Sequence, residues 1–411
     1  MQLTLLMGRR LLAISATLAA TFAAASAPAQ TSYDGHSLVI PLRQDVKPNG
    51  DYSNLKIYVS LDGGKPEPMT IDTGSQEFNV NYSPSFWPGT PVDLLKPPVD
   101  MFEGFGNGKS GYIYRPVSAR VALYAAPVGG AAPKLAYRIP QPVAVGKKLA
   151  DFQHRSCTKG QPCTYARKPL GVSTDSFGLF GASALNGVAT ASTGQKVDLQ
   201  PILSYITDPG DGKAGAGFVV ADNGGAHGPC FEVGLNDAIR KQFPYTFPVT
   251  TQGDVPFPNT GYAPKKSSFG TLDVTIDNVR DKSLPTIAFK SVIYPDTGGN
   301  HNVGVMVPGL RAADFQKYSD SKNKRSRNTL PGTRLRLHAS NGFSYTYVVP
   351  DHYNSVGRAL VINNVGLADS SAKRGPRIKL NLAFYRDVAV MTDFAHGTVS
   401  FDPKPFDCIS Y

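Results

Sequence analysis

Charge is scarce in this chain: Asp, Glu, Lys and Arg together make up 18% of its 411 residues. That excludes a charged coiled coil or a disordered polyelectrolyte, and the 41% of apolar residues imply a sizeable core. Beyond the N-terminus no apolar run reaches the roughly 18 residues that a membrane-spanning helix needs, so stable membrane insertion is not expected. Acidic residues are the minority, 31 against 42 basic, for a formal net charge of +11. The basic residues are scattered, however, and the one dense run, at 322–327, sits among Ser and Asn and reads as a solvated loop. No nucleic-acid partner is expected. The 7 histidines are dispersed and the 4 cysteines form no paired Cys-x-x-Cys, so no metal site is expected. No Gly-x-Ser-x-Gly occurs. Gly106-x-Gly108-x-x-Gly111 matches a dinucleotide fingerprint literally, but Tyr112 begins a stretch that reads as strand where that motif needs a helix.

What the chain has is glycine (41), proline (33), tyrosine (19) and phenylalanine (21), a mixture suited to many short strands and tight turns. Leu55, Ile57, Val59 and Leu61 alternate with polar residues before the turn Asp62-Gly63-Gly64, and Leu272, Val274 and Ile276 alternate in the same way. Helical patterns are short, near 235–242 and 309–318. Arg9 and Arg10, an apolar run over 11–25, and Ala27-Pro28-Ala29 before Gln30 read as an export signal spanning 1–29. The length favours two lobes, and the turn-rich stretch 207–217 marks the boundary, giving an N-terminal β lobe over 30–210 and a C-terminal β lobe over 211–411. Export to the periplasm or the extracellular space would oxidise Cys157, Cys163, Cys230 and Cys408, for which three pairings exist. The turn Gly160-Gln161-Pro162 favours a local Cys157–Cys163 bridge, which leaves Cys230 to Cys408.

The most informative feature is an echo between the two halves. IDTGSQEFNV (71–80) and PDTGGNHNV (295–303) each follow an apolar strand and each carry Asp-Thr-Gly. Glycine after Asp-Thr permits a sharp turn that presents the carboxylate, and the threonine hydroxyl can bond a facing loop. If the loops meet, Asp72 and Asp296 lie too close for both to ionise cheaply. One then keeps a proton, the other is charged, and a water between them can be activated by general acid and base. The competing reading is that each Asp merely bonds its own turn.

These segments resemble the pepsin-like aspartic peptidases, and the similarity runs along most of the chain after residue 29. EGFGNGKSGYIY (103–114) resembles the family's flap hairpin, which places Phe105, Gly106, Asn107 and Gly108 against substrate. SFGLFGAS (176–183) is similar to the segment that threads behind the first active-site loop, and 380–403 to the closing strands, where an exposed Asp-led turn separates two apolar runs. The resemblance implies an all-β, bilobal fold with a central cleft and an endopeptidase needing no metal or organic cofactor. It assigns catalysis to Asp72 and Asp296, support to Thr73, Gly74, Ser75, Thr297 and Gly298, and a polypeptide substrate, with the chain expected to act as a monomer. Departures are Phe105 where a flap tyrosine is usual, Asn79 at an aromatic position, Pro295 before Asp296, Gly299 for a hydroxyl residue, and Asn381 at a glycine position. They leave an inactive pepsin-fold binding or inhibitor protein as the alternative. Because Ser75 can bond Asp72 while Gly299 offers nothing to Asp296, the charge is expected on Asp72 and the proton on Asp296.

Overall fold

The first alternating segment forms the first long hairpin. Lys56–Leu61 pairs antiparallel with Glu67–Asp72 from Lys56↔Thr70 to Val59↔Glu67. The turn between them places Asp62 at φ 48° and Gly63 at φ 81°. Two successive left-handed residues match the right-handed twist of the flanking strands, and Asp with Gly is the pair that tolerates them. Asp62 also holds the turn down, accepting from Trp87 Nε1 at 2.7 Å and from the Arg120 amide at 2.8 Å. Alternation of this kind ordinarily leaves one face solvated, yet all six residues of Lys56–Leu61 are buried. The polar side is covered because its groups find partners: Lys56 Nζ bonds Asp45 at 3.0 Å and Ser60 Oγ lies 3.2 Å from Tyr124 Oη. In Thr271–Asn278 the alternation keeps its expected meaning, with Leu272, Val274 and Ile276 buried between more open neighbours.

The computed structural model describes residues 37–45, 53–105, 110–127, 129–156, 164–170, 176–184, 188–190, 195–206, 217–222, 228–249, 270–298, 303–308, 317–318, 329–351, 360–365 and 376–408. The expectations for 1–29, the flap tip Gly106, Asn107 and Gly108, Cys157 with Cys163, Gly299, the basic run 322–327, and nearly all of the segments 207–217 and 309–318 lie outside them. Among the described residues no helix is long and apolar enough to cross a membrane.

Three large sheets account for the architecture. Strands from 56 to 181 build an 11-stranded sheet, and strands from 271 to 380 build a 7-stranded one. A 6-stranded sheet joins the halves, running Leu38–Pro41, Cys230–Val233, Gly217–Ala221, Ala389–Asp393, Thr398–Asp402 and Tyr245–Pro248 in spatial order. Aromatic rings tie it to both halves. Phe231 meets Phe180 of the first half at 6.4 Å, while Phe401 meets Phe343 of the second at 5.1 Å and Phe384 at 5.3 Å. Among the described residues helix is confined to short pieces: the pattern at 235–242 forms Asp237–Gln242, capped by Asn236, whose side chain accepts from the Ile239 amide at 2.9 Å. The turn after Ala389–Asp393 corrects one expectation, since the Asp that leads it is 2% exposed. Asp393 is drawn inward by Arg240 Nε and His396 Nδ1, each 2.9 Å from its Oδ2.

The expected Cys230–Cys408 bridge is present and links residues 178 apart. It joins the 6-stranded sheet to the C-terminal segment beside Phe243 and Phe406. Removing a crosslink that closes so long a loop raises the entropy of the unfolded chain. The double variant Cys230→Ser/Cys408→Ser should therefore lose about 2–5 kcal/mol in urea unfolding, with the same secondary structure by circular dichroism.

Candidate active site

Each half sends one strand toward the centre and threads a second strand parallel to it. In the first, Gly178–Gly181 runs beside Glu67–Asp72 and sets Phe180 opposite Ile71 and Gly181 opposite Asp72. The Ala182 amide then donates to Asp72 O at 2.8 Å, which fixes the base of the loop. In the second, Arg377–Leu380 runs beside Ile287–Pro295 with Leu380 opposite Pro295, and the Asp296 amide donates to Leu380 O at 3.0 Å. The halves are thus related by topology as well as by motif, and Asn381 follows Leu380 where Gly181 follows Phe180.

The two loops lock reciprocally. The Thr73 amide donates to Thr297 Oγ1 at 3.1 Å and the Thr297 amide donates to Thr73 Oγ1 at 3.0 Å. Each hydroxyl also donates to the carbonyl just before the opposite Asp: Thr297 Oγ1 to Ile71 O at 3.0 Å and Thr73 Oγ1 to Pro295 O at 3.2 Å. Tyr385 Oη, 2.9 Å from Thr73 Oγ1, donates into the same network. Pro295, a departure from the family pattern, loses an N–H but keeps the carbonyl that this lock needs. Two further contacts tighten the first loop. The Gly74 amide donates to Asp72 Oδ1 at 2.7 Å, and Tyr294 Oη donates to Gly74 O at 2.6 Å.

The lock brings the carboxylates together. A Cβ built on Gly74 would lie 2.6 Å from Asp296 Oδ1 and 3.0 Å from Asp72 Oδ1, so both acids flank that point. Asp72 and Asp296 are 8% and 5% exposed. Burial pushes the Asp72 carboxyl up to about 7, the neighbouring Asp296 charge adding to the rise and the Ser75 bond opposing it. Ser75 Oγ donates to Asp72 Oδ2 at 2.6 Å as expected, but the expected division of charge does not follow. Lys379 Nζ lies 2.9 Å from Asp296 Oδ2, an ion pair that favours charge on Asp296. Sequence reading missed Lys379. Its signal was a cation between the apolar Ile378 and Leu380 in the strand that mirrors Gly178–Gly181.

A second acid pair was also missed. Glu77, just beyond the first loop, interacts with Glu103 of the hairpin formed by Met101–Phe105 and Ser110–Ala119. Two buried carboxyls that feel each other do not both ionise cheaply. Burial first, then Glu77, pushes Glu103 up to about 9, and burial raises Glu77 as well. Beside them Asn79, fully buried, donates through Nδ2 to Tyr112 Oη at 2.7 Å, while a Cβ on Gly146 would sit 1.6 Å from Asn79 Oδ1. A larger ring at position 79 would not fit against Gly146, and the ring of Tyr112 fills the neighbouring space instead. The backbone of Phe105 ends the first hairpin strand opposite Ser110. Among the described residues no three His, Cys, Asp or Glu side chains are arranged to hold a metal ion.

No family model and no curated protein matches the chain by sequence. Solved structures do match it, among them an aspartic proteinase from Irpex lacteus, at 13% identity and a TM-score of 0.50, over 91% of this chain and 99% of that one. The fold is all-β, bilobal and pepsin-like. Within the pepsin-like fold, then, Asp72-Thr73-Gly74 and Asp296-Thr297-Gly298 meet between the halves, and Met101–Phe105 pairs antiparallel with Ser110–Ala119.

The raised acids have a consequence for stability. Their folded-state affinities for protons exceed those of the unfolded chain, so the folded state binds more protons between about pH 4 and 9. Their stabilising contribution is complete below the unfolded carboxylate range and is lost as pH rises through about 7 for Asp72 and about 9 for Glu103. Each such group tilts stability by about 1.4 kcal/mol per pH unit inside its window. The urea midpoint should therefore be higher at pH 4.5 than at pH 8.5, and Glu103→Gln should flatten that slope. A wild-type midpoint that rises over this interval would contradict the assignment.

Proposed function

We propose that the protein is an exported aspartic endopeptidase. The observation that supports this reading best is the reciprocal threonine lock, which holds two buried carboxyls at one point between the halves. In the reaction a water held by the pair attacks the peptide carbonyl carbon. The ionised carboxylate takes the water's proton while the protonated one gives its own to the carbonyl oxygen, forming a tetrahedral diol. Collapse returns a proton from the diol to one carboxylate and passes the other to the departing amine, so the dyad ends as it began. The hairpin at 101–119 would cover a bound peptide, with Phe105, Gly106, Asn107 and Gly108 at its end. Lobes over 30–210 and 211–411, cleavage of 1–29 after Ala29, a periplasmic or extracellular location and a monomeric state belong to the same proposal. No metal or organic cofactor enters this chemistry.

One observation favours a second reading, a pepsin-fold binding or inhibitor protein without hydrolysis. Lys379 occupies an oxygen of Asp296 and can hold that carboxylate in an unreactive pair. The test is cleavage of casein and of a mixed peptide library by the protein starting at Gln30, from pH 3 to 8, with and without a hydroxyl-bearing transition-state mimic. Cleavage blocked by the mimic supports the peptidase. Tight binding of the mimic with no cleavage at any pH supports the binding protein.

A further inference from the structure

The two loops match in their turns but differ in what caps their carboxylates. Asp72 Oδ2 is met by Ser75 Oγ at 2.6 Å, from three residues along its own loop. Three residues after Asp296 stands Gly299, which has no side chain to donate. Asp296 Oδ2 is met instead from a different strand, by Lys379 Nζ at 2.9 Å. The parallel register brings the lysine there, since Lys379 lies opposite Tyr294 and Leu380 opposite Pro295. Its ammonium also lies 5.7 Å from the Tyr294 ring centroid, within cation–π range. Tyr294 in turn donates to Gly74 O, so the lysine is seated against the floor of both loops.

A hydroxyl and an ammonium are unequal donors. Both favour the ionised carboxylate, but the ammonium adds a full opposite charge, which depresses a carboxyl by about 1–3 units. The two groups that donate to Asp72 from its own loop, the Ser75 hydroxyl and the Gly74 amide, are neutral. The other titratable groups that feel the pair include Tyr294, Tyr385 from the helix Leu382–Tyr385 and Tyr112 from the hairpin, and Arg377 on the lysine's own strand and Glu103 act in turn on Tyr294. Burial raises all three tyrosines far above their ordinary range, so they stay neutral.

We propose that Lys379 is a positioning residue of the dyad: it gives Asp296 the donor that Gly299 lacks and keeps Asp296 the charged member, so that the shared proton resides on Asp72. The catalytic consequence rests on the peptidase reading. Asp296 then accepts the proton of the attacking water and Asp72 protonates the carbonyl oxygen.

The assignment is tested by titrating the aspartate carboxyl carbons by NMR in the protein starting at Gln30, with Asp72 and Asp296 identified by the signals lost in Asp72→Asn and Asp296→Asn. The same titration is run on Lys379→Met and Lys379→Arg, alongside kcat/KM against pH. In the wild type Asp296 should ionise first. In Lys379→Met the first ionisation of the dyad should rise by about 1–3 pH units, the acid limb of kcat/KM should move with it, and Lys379→Arg should titrate as wild type. Ionisation of Asp72 first in the wild type, or superimposable wild-type and Lys379→Met curves, overturns the proposal even if the enzyme cleaves peptides. A lysine-dependent titration in a protein that cleaves nothing supports the charge assignment and removes the peptidase reading instead.

Discussion

Neither Asp72→Asn nor Asp296→Asn is expected to retain useful peptide cleavage. Each removes a proton acceptor or donor that water attack requires, so kcat/KM should fall by at least about 10²- to 10⁴-fold, the range contributed by a positioned acid or base. The double variant should lose little more than either single one, because the two carboxyls act as a unit. Stability should separate the two variants at alkaline pH. Asp72 is a buried acid pushed up to about 7, and replacing it with a neutral amide removes the cost of ionising it. Asp72→Asn should therefore unfold at a higher urea concentration than wild type at pH 8.5. Asp296→Asn leaves the Lys379 ammonium, whose side chain is 35% exposed, without its carboxylate, and should unfold at a lower one. Wild-type cleavage by both Asn variants would remove the dyad from the mechanism. Matched stability of the two at pH 8.5 would contradict the asymmetry between them.

The parts of the fold that were legible are those written in local sequence. A strand, a sharp Asp-Thr-Gly turn and a threonine able to reach across a loop are properties of a few adjacent residues, and their repetition implied a pair. The hairpin Lys56–Leu61 to Glu67–Asp72 was legible because Asp62 and Gly63 are suited to the left-handed turn they adopt. What was not legible depends on register between distant strands. Lys379 contacts a residue 83 positions earlier, and only the pairing of Arg377–Leu380 with Ile287–Pro295 brings it there. Read locally, Ser75 and Gly299 pointed to the opposite distribution of charge. The full burial of Lys56–Leu61 was hidden for a related reason: a period of two shows which face is apolar, but not that Asp45 and Tyr124 will satisfy the polar one. The Glu77–Glu103 pair was hidden too, since two acids 26 residues apart read as solvated until the hairpin folds one onto the other.

Gly298→Ala should be the most damaging single-methyl change in the site. A Cβ there would lie 2.1 Å from Asp72 Cγ and 2.4 Å and 2.5 Å from its two oxygens, closer than nonbonded atoms approach. Asp72 cannot simply step aside, because Ser75 and the Gly74 amide hold its oxygens at 2.6 Å and 2.7 Å. Gly298 is absent from the positive-φ glycines, so its requirement is space for the opposite carboxylate rather than an unusual backbone. Either the carboxylate leaves its bonds or the threonine lock opens. Overpacking of this kind costs about 1–3 kcal/mol, and a displacement of about 1 Å at a reacting group can cost on the order of 10² in rate. Gly63→Ala is the matched control: at φ 81°, with nothing within 4 Å of the added carbon, it strains the backbone and touches nothing. It should lose about 1–2 kcal/mol and keep its kcat/KM, whereas Gly298→Ala should lose both stability and at least about 10²-fold in kcat/KM. If Gly298→Ala cleaves at the wild-type rate, Asp72 does not work from the position in which the lock holds it.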